Sequence, residues 1–155
     1  MRQLAAFTVA ITVLASVPTT PVIASSSPID SGVVDHLVFN TPLARFRNER
    51  ARTKRVHRWL ITTTDGCSAP VVGSSGQSFD FRLACERHDL AYANYAALAQ
   101  LGIGYEWSAA LRAVVDDQFQ RDLQASCVKR RRSERLRCDA WAVVFFHAVR
   151  LAARP

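Results

Sequence analysis

The segment from Cys85 to Tyr92 reads CERHDLAY and places a histidine directly before a carboxylate. If this segment is helical, Cys85, His88 and Tyr92 lie on one face, with Asp89 one step around the axis from His88. A histidine titrates near neutral pH and can serve as a general base, whereas a carboxylate can bind a hard metal ion. The pattern therefore predicts a base and a metal ligand that share one site.

The stretch before this segment supplies a second carboxylate, Asp65, followed by Gly66 and Cys67. A disulfide between Cys67 and the helix would draw Asp65 towards Asp89. Two carboxylates, a backbone carbonyl and water are the hard oxygen ligands that calcium prefers. A glycine at position 66 lets the chain turn so that its carbonyl points inward. We therefore expect Asp65, Gly66 and Asp89 to form a calcium site.

Together, TDGCS at residues 64–68 and ACERHDLAYANY at residues 84–95 resemble the bacterial and fungal secreted phospholipases A2. The hallmark of that family is a loop Asp before the first cysteine, followed by Cys-x-x-His-Asp on a helix. The resemblance covers residues 59–149, including the spacing of the four cysteines and a later Asp-x-x-Phe. Residues 69–81 match poorly, so the resemblance assigns no residues to lipid entry or head-group contact.

The resemblance implies calcium-dependent hydrolysis of the sn-2 ester of glycerophospholipids, which releases a fatty acid and a lysophospholipid. In that family the helix histidine is the general base for an attacking water, so His88 takes that role. Asp116, on a second helix, would orient the imidazole, and Tyr92 would hydrogen-bond Asp116. Calcium at the site described above would polarise the ester carbonyl.

The partner implied is a phospholipid substrate at a membrane or micelle surface, with no obligate protein partner; we expect a monomer that does not bind nucleic acid. Lys and Arg outnumber Asp and Glu by 20 to 13, which favours anionic surfaces. A basic run lies between the last two cysteines: Lys129, Arg130, Arg131 and Arg132. This run is either a solvated loop or a contact with anionic lipid, and the sequence leaves both open.

Two other functional classes fit part of the pattern. Metal phosphohydrolases that use His…His-Asp…Asp would match His57, His88, Asp89 and Asp116 in that order, but an exported, disulfide-bonded chain argues against them. A basic, non-enzymatic protein that binds membrane surfaces on the same scaffold is the main alternative. Every residue that the ester hydrolysis needs is present, which favours the enzyme.

The four cysteines are Cys67, Cys85, Cys127 and Cys138. An even number in an exported chain predicts two disulfides, although four cysteines allow three pairings. Local pairing, Cys67 with Cys85 and Cys127 with Cys138, is the simplest. No Cys-x-x-Cys spacing supports a zinc site.

Residues 1–24 are predicted to be a secretory signal peptide. Arg2 is the only charged residue before Asp30, and Leu4–Val17 is an apolar run. This run is shorter than the roughly 18 apolar residues that a membrane-spanning helix needs. We therefore expect a secreted protein in which residues 25–155 form a single phospholipase A2-like catalytic domain.

The predicted fold is all-α: a small phospholipase A2-like helical domain with two long helices pinned by two disulfides. Helices are expected near 33–39, 41–58, 81–98 and 107–125, and again after Cys138. In the fourth, apolar residues recur every four positions from Trp107 to Leu123, so Asp116 borders the buried face and Asp117 points outward. The pair Val71-Val72 is the one hint of a strand and is discounted.

Overall fold

The computed structural model describes residues 29–66, 75–76 and 79–152, with only the backbone described at residues 75, 76 and 152. The predicted signal peptide, Cys67 and the Val71-Val72 pair lie outside these ranges. The helices in chain order are α1 (Ser31–Asp35), a π-helical turn (His36–Asn40), a 3-10 turn (Leu43–Arg45), α2 (Phe46–Val56), α3 (Arg82–Gln100), α4 (Ala109–Val128) and α5 (Arg132–Ala152).

The structure is mostly helical, as predicted, but it also contains one small antiparallel strand pair. Strand β1 (Ser75–Gly76) pairs with β2 (Phe79–Asp80), and Gly76 lies opposite Phe79. The absence of alternating apolar residues hid this pair, because two residues are too short to show a period. It lies immediately before α3 and leads the chain into that helix.

The prediction of two long helices is wrong, because α3, α4 and α5 contain 19, 20 and 21 residues. The error lies in the basic run, which we expected to form a loop up to Cys138. Instead α5 begins at Arg132, since arginine, glutamate and leucine are good helix formers and no glycine or proline interrupts them. Glu134 in the first turn also interacts favourably with the positive end of the helix dipole.

A disulfide between Cys127 and Cys138 joins the adjacent ends of α4 and α5, with 5.7 Å between the two Cα atoms. This pairing confirms the local connectivity predicted for these two cysteines. Cys85 is also disulfide-bonded and is buried beneath β2 and α4, and no described cysteine is free. Its predicted partner lies outside the described residues.

Two apolar clusters form the core. One lies between α3, α4 and α5, and its largest residues are Phe81, Phe119 and Phe145. The other packs α1 and the π-helical turn against α3, with Phe46 and Tyr95 as its largest residues. Helices α3 and α4 contribute residues to both clusters, so apolar packing on two sides stabilises the position at which these helices cross. None of the helices in the described ranges is both long and apolar enough to span a bilayer.

A buried arginine ties the N-terminal elements to α3. Arg87 donates hydrogen bonds to the carbonyls of Val38 and Thr41, at 3.1 and 2.7 Å. Its guanidinium also lies 3.4 Å from the carboxylate of Asp122 on α4 and stacks over the ring of Phe46. Arg87 thereby fixes the position of α3 one residue before His88.

Candidate active site

His88 and Asp116 meet where α3 and α4 cross. The Nε2 atom of His88 lies 3.0 Å from Oδ1 of Asp116, and the two residues are 6% and 5% exposed. Phe119, one turn after Asp116, packs its ring 4.8 Å from the imidazole. Asp117 is exposed, so the helix presents its two adjacent carboxylates to opposite environments, in the register expected from the apolar periodicity.

Tyr92 shares the same carboxylate oxygen as His88. Its hydroxyl donates to Oδ1 of Asp116 at 2.8 Å, and its ring lies 4.3 Å from the imidazole of His88. Burial, together with the hydrogen bond to Asp116, raises the pKa of the Tyr92 phenol well above its ordinary value. Tyr92 therefore keeps its proton and acts as a permanent donor to Asp116.

Arg150 is a site residue that the sequence analysis missed. Its Nε lies 3.3 Å from Oδ2 of Asp116, the oxygen that His88 and Tyr92 leave unused. Burial alone would raise the pKa of Asp116, but the hydrogen bonds from His88 and Tyr92 and the charge of Arg150 hold that pKa below its ordinary value. The carboxylate is therefore ionised and held through both oxygens. Arg150 comes from a helix 34 positions further along the chain, and no local pattern marks it.

The chain before α3 wraps around Asp89. The Thr64 hydroxyl and the Gly66 backbone N–H both donate to Oδ2 of Asp89, the latter at 3.1 Å. Gly66 has a φ of 58°, in the left-handed region that favours glycine, so the predicted turn at this position is present. Thr64 was not among the predicted site residues. It also accepts the Gly66 N–H at 3.0 Å, which closes the turn.

Asn94 anchors the same stretch to α3 at a second point. Its side-chain oxygen accepts the Ile61 N–H at 2.8 Å, and its amide donates to the Ile61 carbonyl at 2.7 Å. Asn94 is buried in the middle of the helix, and it satisfies both backbone groups of a residue that is in neither helix nor strand. Residues 61–66 are therefore held at one end by Asn94 and at the other by Asp89.

These contacts form the wall of an open cleft of about 460 Å³, lined by Thr63, Thr64, Asp65, Asp89, Tyr92 and Ala93. Burial raises the pKa of Asp89, and the nearby charge of Asp65 raises it further, although Thr64 and Gly66 oppose the shift. Two carboxylates that repel each other at a solvent-accessible cleft suit a hard divalent cation. In the described ranges no three His, Cys, Asp or Glu side chains gather as a metal-binding group. Further ligands would then be backbone carbonyls and water, which fits calcium better than zinc.

The residues of the rival phosphohydrolase pattern do not gather at one place in the described structure. His57 is half-buried after the end of α2, with its ring 6.0 Å from that of Trp59. It does not form a metal-binding group with His88, Asp89 and Asp116, as the absence of any such group in the described ranges shows. Only His88 and Asp116 of that set are in direct contact.

Two comparisons with known proteins agree with this geometry. The family model for prokaryotic phospholipase A2 matches residues 34–153. A protein named secretory phospholipase A2 from Beauveria bassiana (strain ARSEF 2860) is 31% identical over 121 residues, which are 77% of this chain and 56% of that protein. The chain therefore spans little more than half the length of that fungal relative. With most of its length matched by the family model, and with its paired histidine and aspartate beside an acidic cleft, the chain belongs to the prokaryotic phospholipase A2 family.

Proposed function

We propose that this protein is a secreted, calcium-dependent phospholipase A2 that hydrolyses the sn-2 ester of glycerophospholipids to a fatty acid and a lysophospholipid. The observation that carries the proposal is the contact of His88 with the doubly anchored carboxylate of Asp116, beside a cleft that presents Asp65 and Asp89. A base held by a buried acid next to a cation site is the arrangement that metal-assisted ester hydrolysis requires.

The ionised carboxylate of Asp116 determines which imidazole nitrogen of His88 acts as the base. Because Asp116 is ionised and can only accept, the Nε2 atom of His88 carries the proton in their hydrogen bond, and Nδ1 holds the free lone pair. Nδ1 then removes a proton from a water molecule as the water oxygen bonds to the sn-2 carbonyl carbon. Asp116 stabilises the imidazolium that forms. When the ester C–O bond breaks, Nδ1 returns the proton to the glycerol oxygen, and no side chain is acylated.

Asp65, Asp89 and the carbonyl of Gly66 would hold the calcium ion. When bound, calcium supplies positive charge that polarises the ester carbonyl and stabilises the developing oxyanion. The protein's own contribution is to hold Asp89 in place through Thr64 and Gly66, so that its second oxygen remains available to the cation.

The proposal includes a second disulfide, from Cys67 to Cys85, and removal of residues 1–24 on export. Gly66 donates a hydrogen bond to Asp89, which lies one helical turn after Cys85 on α3. Cys67 directly follows Gly66 in the sequence, so this contact supports a disulfide between Cys67 and Cys85. Cys67→Ser should therefore lower activity more than Cys127→Ser, since only the first change frees the cation loop. Peptide mapping that joined Cys67 to Cys127 or Cys138 would contradict the pairing.

We also propose that Lys129, Arg130, Arg131 and Arg132 contact anionic lipid, and that the protein acts as a monomer. All four basic residues are exposed at the turn between α4 and α5. Neutral substitutions there should lower hydrolysis of anionic vesicles, chiefly at low salt, and leave hydrolysis of a soluble monomeric ester unchanged. Equal losses on both substrates would mean that this turn supports the fold instead.

The decisive experiment measures fatty-acid release from defined phospholipid vesicles with calcium or with excess chelator. We expect release from the sn-2 position in calcium, none with chelator, and almost none from His88→Gln. Asp89→Asn should weaken calcium binding and activity together, while circular dichroism shows an intact fold. Turnover that persists in chelator rejects the calcium assignment. Vesicle binding without any fatty-acid release would favour the non-enzymatic alternative.

A further inference from the structure

The positive charge of this protein is concentrated in two stretches of the sequence, and the larger of the two is α2 with its flanks. Residues 45–58 contain seven Lys or Arg and one Glu, so they carry +6 of the chain's formal +7. Residues 129–137 contain six basic residues and one Glu, which leaves the rest of the chain net acidic. Most of the positive charge therefore lies in two stretches of the sequence, which form a first basic surface on α2 and its flanks and a second at the turn between α4 and α5.

Part of the charge on α2 anchors the helix to the protein. Arg47 donates from Nε to Glu86 on α3 at 3.0 Å, and Arg50 lies 3.2 Å from the same carboxylate. Lys54 donates to the carbonyls of Arg58 and Leu60, at 2.7 and 2.6 Å. These three side chains fasten α2 at its beginning and at its end.

The remaining basic side chains of this segment face solvent. Arg45, Arg55 and Arg58 are exposed, and no carboxylate in the described ranges forms an ion pair with them. Arg52 is 74% exposed and forms only a surface pair with Glu49 at 3.3 Å. Arg45, Arg52 and Arg55 project to one side of the helix, because seven and three residues are close to whole turns.

The helix that carries this basic face is anchored one turn away from a cleft residue. On α3, Glu86 shares a stripe with Asp89 and Ala93 at positions i, i+3 and i+7, and both of the latter line the cleft. Arg47 and Arg50 hold the first half of α2 to Glu86, one helical turn before the cleft residue Asp89. At the other end of α2, the chain that Lys54 holds continues within five residues to the cleft wall at Thr63.

We propose that the exposed basic surface of α2 and its flanks, formed by Arg45, Arg52, Arg55 and Arg58, docks the protein on an anionic phospholipid bilayer and so presents the cleft to the lipid. This inference rests on the proposed function and names the surface that delivers its substrate. Guanidinium groups form paired hydrogen bonds with phosphate oxygens. Val56, 64% exposed at the end of α2, adds an apolar side chain to the same surface.

The second basic surface is placed less favourably for this role. It begins 13 residues beyond Asp116 on α4, about 20 Å along the helix axis. Two of its arginines, Arg130 and Arg137, lie over the ring of Phe79 at 5.6 Å each. Charge at this turn is therefore partly engaged with the protein and far from the site of hydrolysis.

The test compares two triple variants that remove the same amount of charge. One is Arg45→Gln/Arg55→Gln/Arg58→Gln on α2, and the other is Lys129→Gln/Arg131→Gln/Arg132→Gln at the turn. Both are made in the His88→Gln background, so that vesicles stay intact, and co-sedimentation measures binding to phosphatidylglycerol-containing vesicles, to pure phosphatidylcholine vesicles and, in parallel, to duplex DNA. Each basic residue near an anionic bilayer changes binding about fivefold, so the α2 variant should lose roughly a hundredfold on anionic vesicles.

We expect a clearly smaller loss for the turn variant and weak binding of all proteins to pure phosphatidylcholine. Equal losses for both triple variants overturn the proposal, since net charge and not position would then govern binding. Loss of DNA binding with unchanged vesicle binding would assign the α2 face to nucleic acid instead.

The same substitutions with His88 intact separate this inference from the proposed function. Hydrolysis of a soluble, monomeric phospholipid should be unchanged in the α2 variant, and hydrolysis of anionic vesicles should fall with binding. Vesicle binding that depends on α2, without hydrolysis of any phospholipid, would reject the enzyme and retain the docking surface. Full hydrolysis of anionic vesicles by the α2 variant would reject the docking surface and retain the enzyme.

Discussion

Arg87 and His88 are neighbours on α3, and each faces a carboxylate on α4. His88 contacts Asp116, and Arg87 lies 3.4 Å from Asp122. The two pairs are similarly buried, yet the pKa values of their carboxylates shift in opposite directions. The pKa of Asp116 is lowered, whereas burial raises the pKa of Asp122. Arg87 and His88 point in directions about 100° apart around the axis of α3, so each side chain meets a different carboxylate of α4.

The partners of the two carboxylates explain the difference in pKa. Asp116 accepts hydrogen bonds from His88 and Tyr92 on Oδ1, and its Oδ2 forms an ion pair with Arg150 at 3.3 Å. Asp122 accepts from Gln118 at 3.0 Å and from Arg87 at 3.4 Å on one oxygen, while its second oxygen is buried with no hydrogen-bond partner among the described residues. An ionised, fully satisfied carboxylate can support proton transfer. A partly satisfied pair in a closed interior instead ties segments of the fold together.

Asp116→Asn should have the largest effect, and it acts on catalysis. An amide in place of the carboxylate favours the wrong imidazole tautomer, so turnover should fall by about 10³–10⁴. Calcium affinity and the free energy of unfolding should change little. Asp117→Asn, one residue further on the exposed side, is the matched control and should be near neutral. A reversed order of the two effects would show that Asp116 does not position His88.

Asp122→Leu should act on stability. The substitution leaves the buried guanidinium of Arg87 without its counter-charge, which costs about 3–5 kcal/mol in the free energy of unfolding. Arg87→Met/Asp122→Leu should recover part of this loss, although the bonds to Val38 and Thr41 are gone. Denaturant unfolding measures both variants. A large loss of turnover by the folded fraction of Asp122→Leu would show that this pair also serves the active site.

Arg150→Gln should have an intermediate effect on turnover. Asp116 loses the partner of its Oδ2 atom and can rotate away from His88, so kcat should fall about tenfold with KM nearly unchanged. Arg135→Gln is the matched control, because Arg135 lies on the same helix, has a side chain that is also 50% exposed and, among the described residues, forms an ion pair only with the half-buried Asp139 at 4.0 Å. Hydrolysis of a soluble ester by Arg135→Gln should have the kcat of wild type. An equal loss in Asp116→Asn and in Asp116→Asn/Arg150→Gln would confirm that Arg150 acts through Asp116.

The smallest effects should appear in the pH dependence of stability. Asp122 has a raised pKa, so wild type should lose stability relative to Asp122→Asn as pH rises from the ordinary carboxyl pKa of about 3.9 to that raised value. Asp116 has a lowered pKa, so wild type should lose stability relative to Asp116→Asn as pH falls below about 3.9. Denaturation midpoints across this range test both slopes. Slopes of the same sign would contradict the comparison.

Local patterns carried much of the candidate site. The spacing of His88 and Asp89 on a helix, and of Asp65 and Gly66 before a cysteine, follows from chemistry within a few residues. Helical periodicity also distinguished Asp116 from Asp117, because the side chain on the apolar stripe must turn inward. The roles of these residues in catalysis and calcium binding stay within the proposed function.

The start of α5 was predicted wrongly, because its first residues are strongly basic and show no apolar periodicity. The run from Arg132 to Arg137 was expected to be a loop because it is strongly basic, yet its residues are good helix formers that follow a short turn. Charge therefore predicts exposure at this turn, whereas backbone propensity decides its secondary structure. The two-residue strand pair before α3 was missed because it is too short to show a period.

By itself, the sequence determined the helical character of the protein and the identity of the family, since both depend on local spacing. It left three cysteine pairings open, and the structure decided that Cys127 pairs with Cys138. Only the tertiary structure decided which distant side chains complete the site. Arg150 reaches Asp116 across 34 positions, Asn94 reaches Ile61 across 33, and Arg47 reaches Glu86 across 39. Such contacts depend on how distant segments of the chain pack against each other. Packing is set by the combined shape of both apolar clusters, so no single stretch of sequence encodes it.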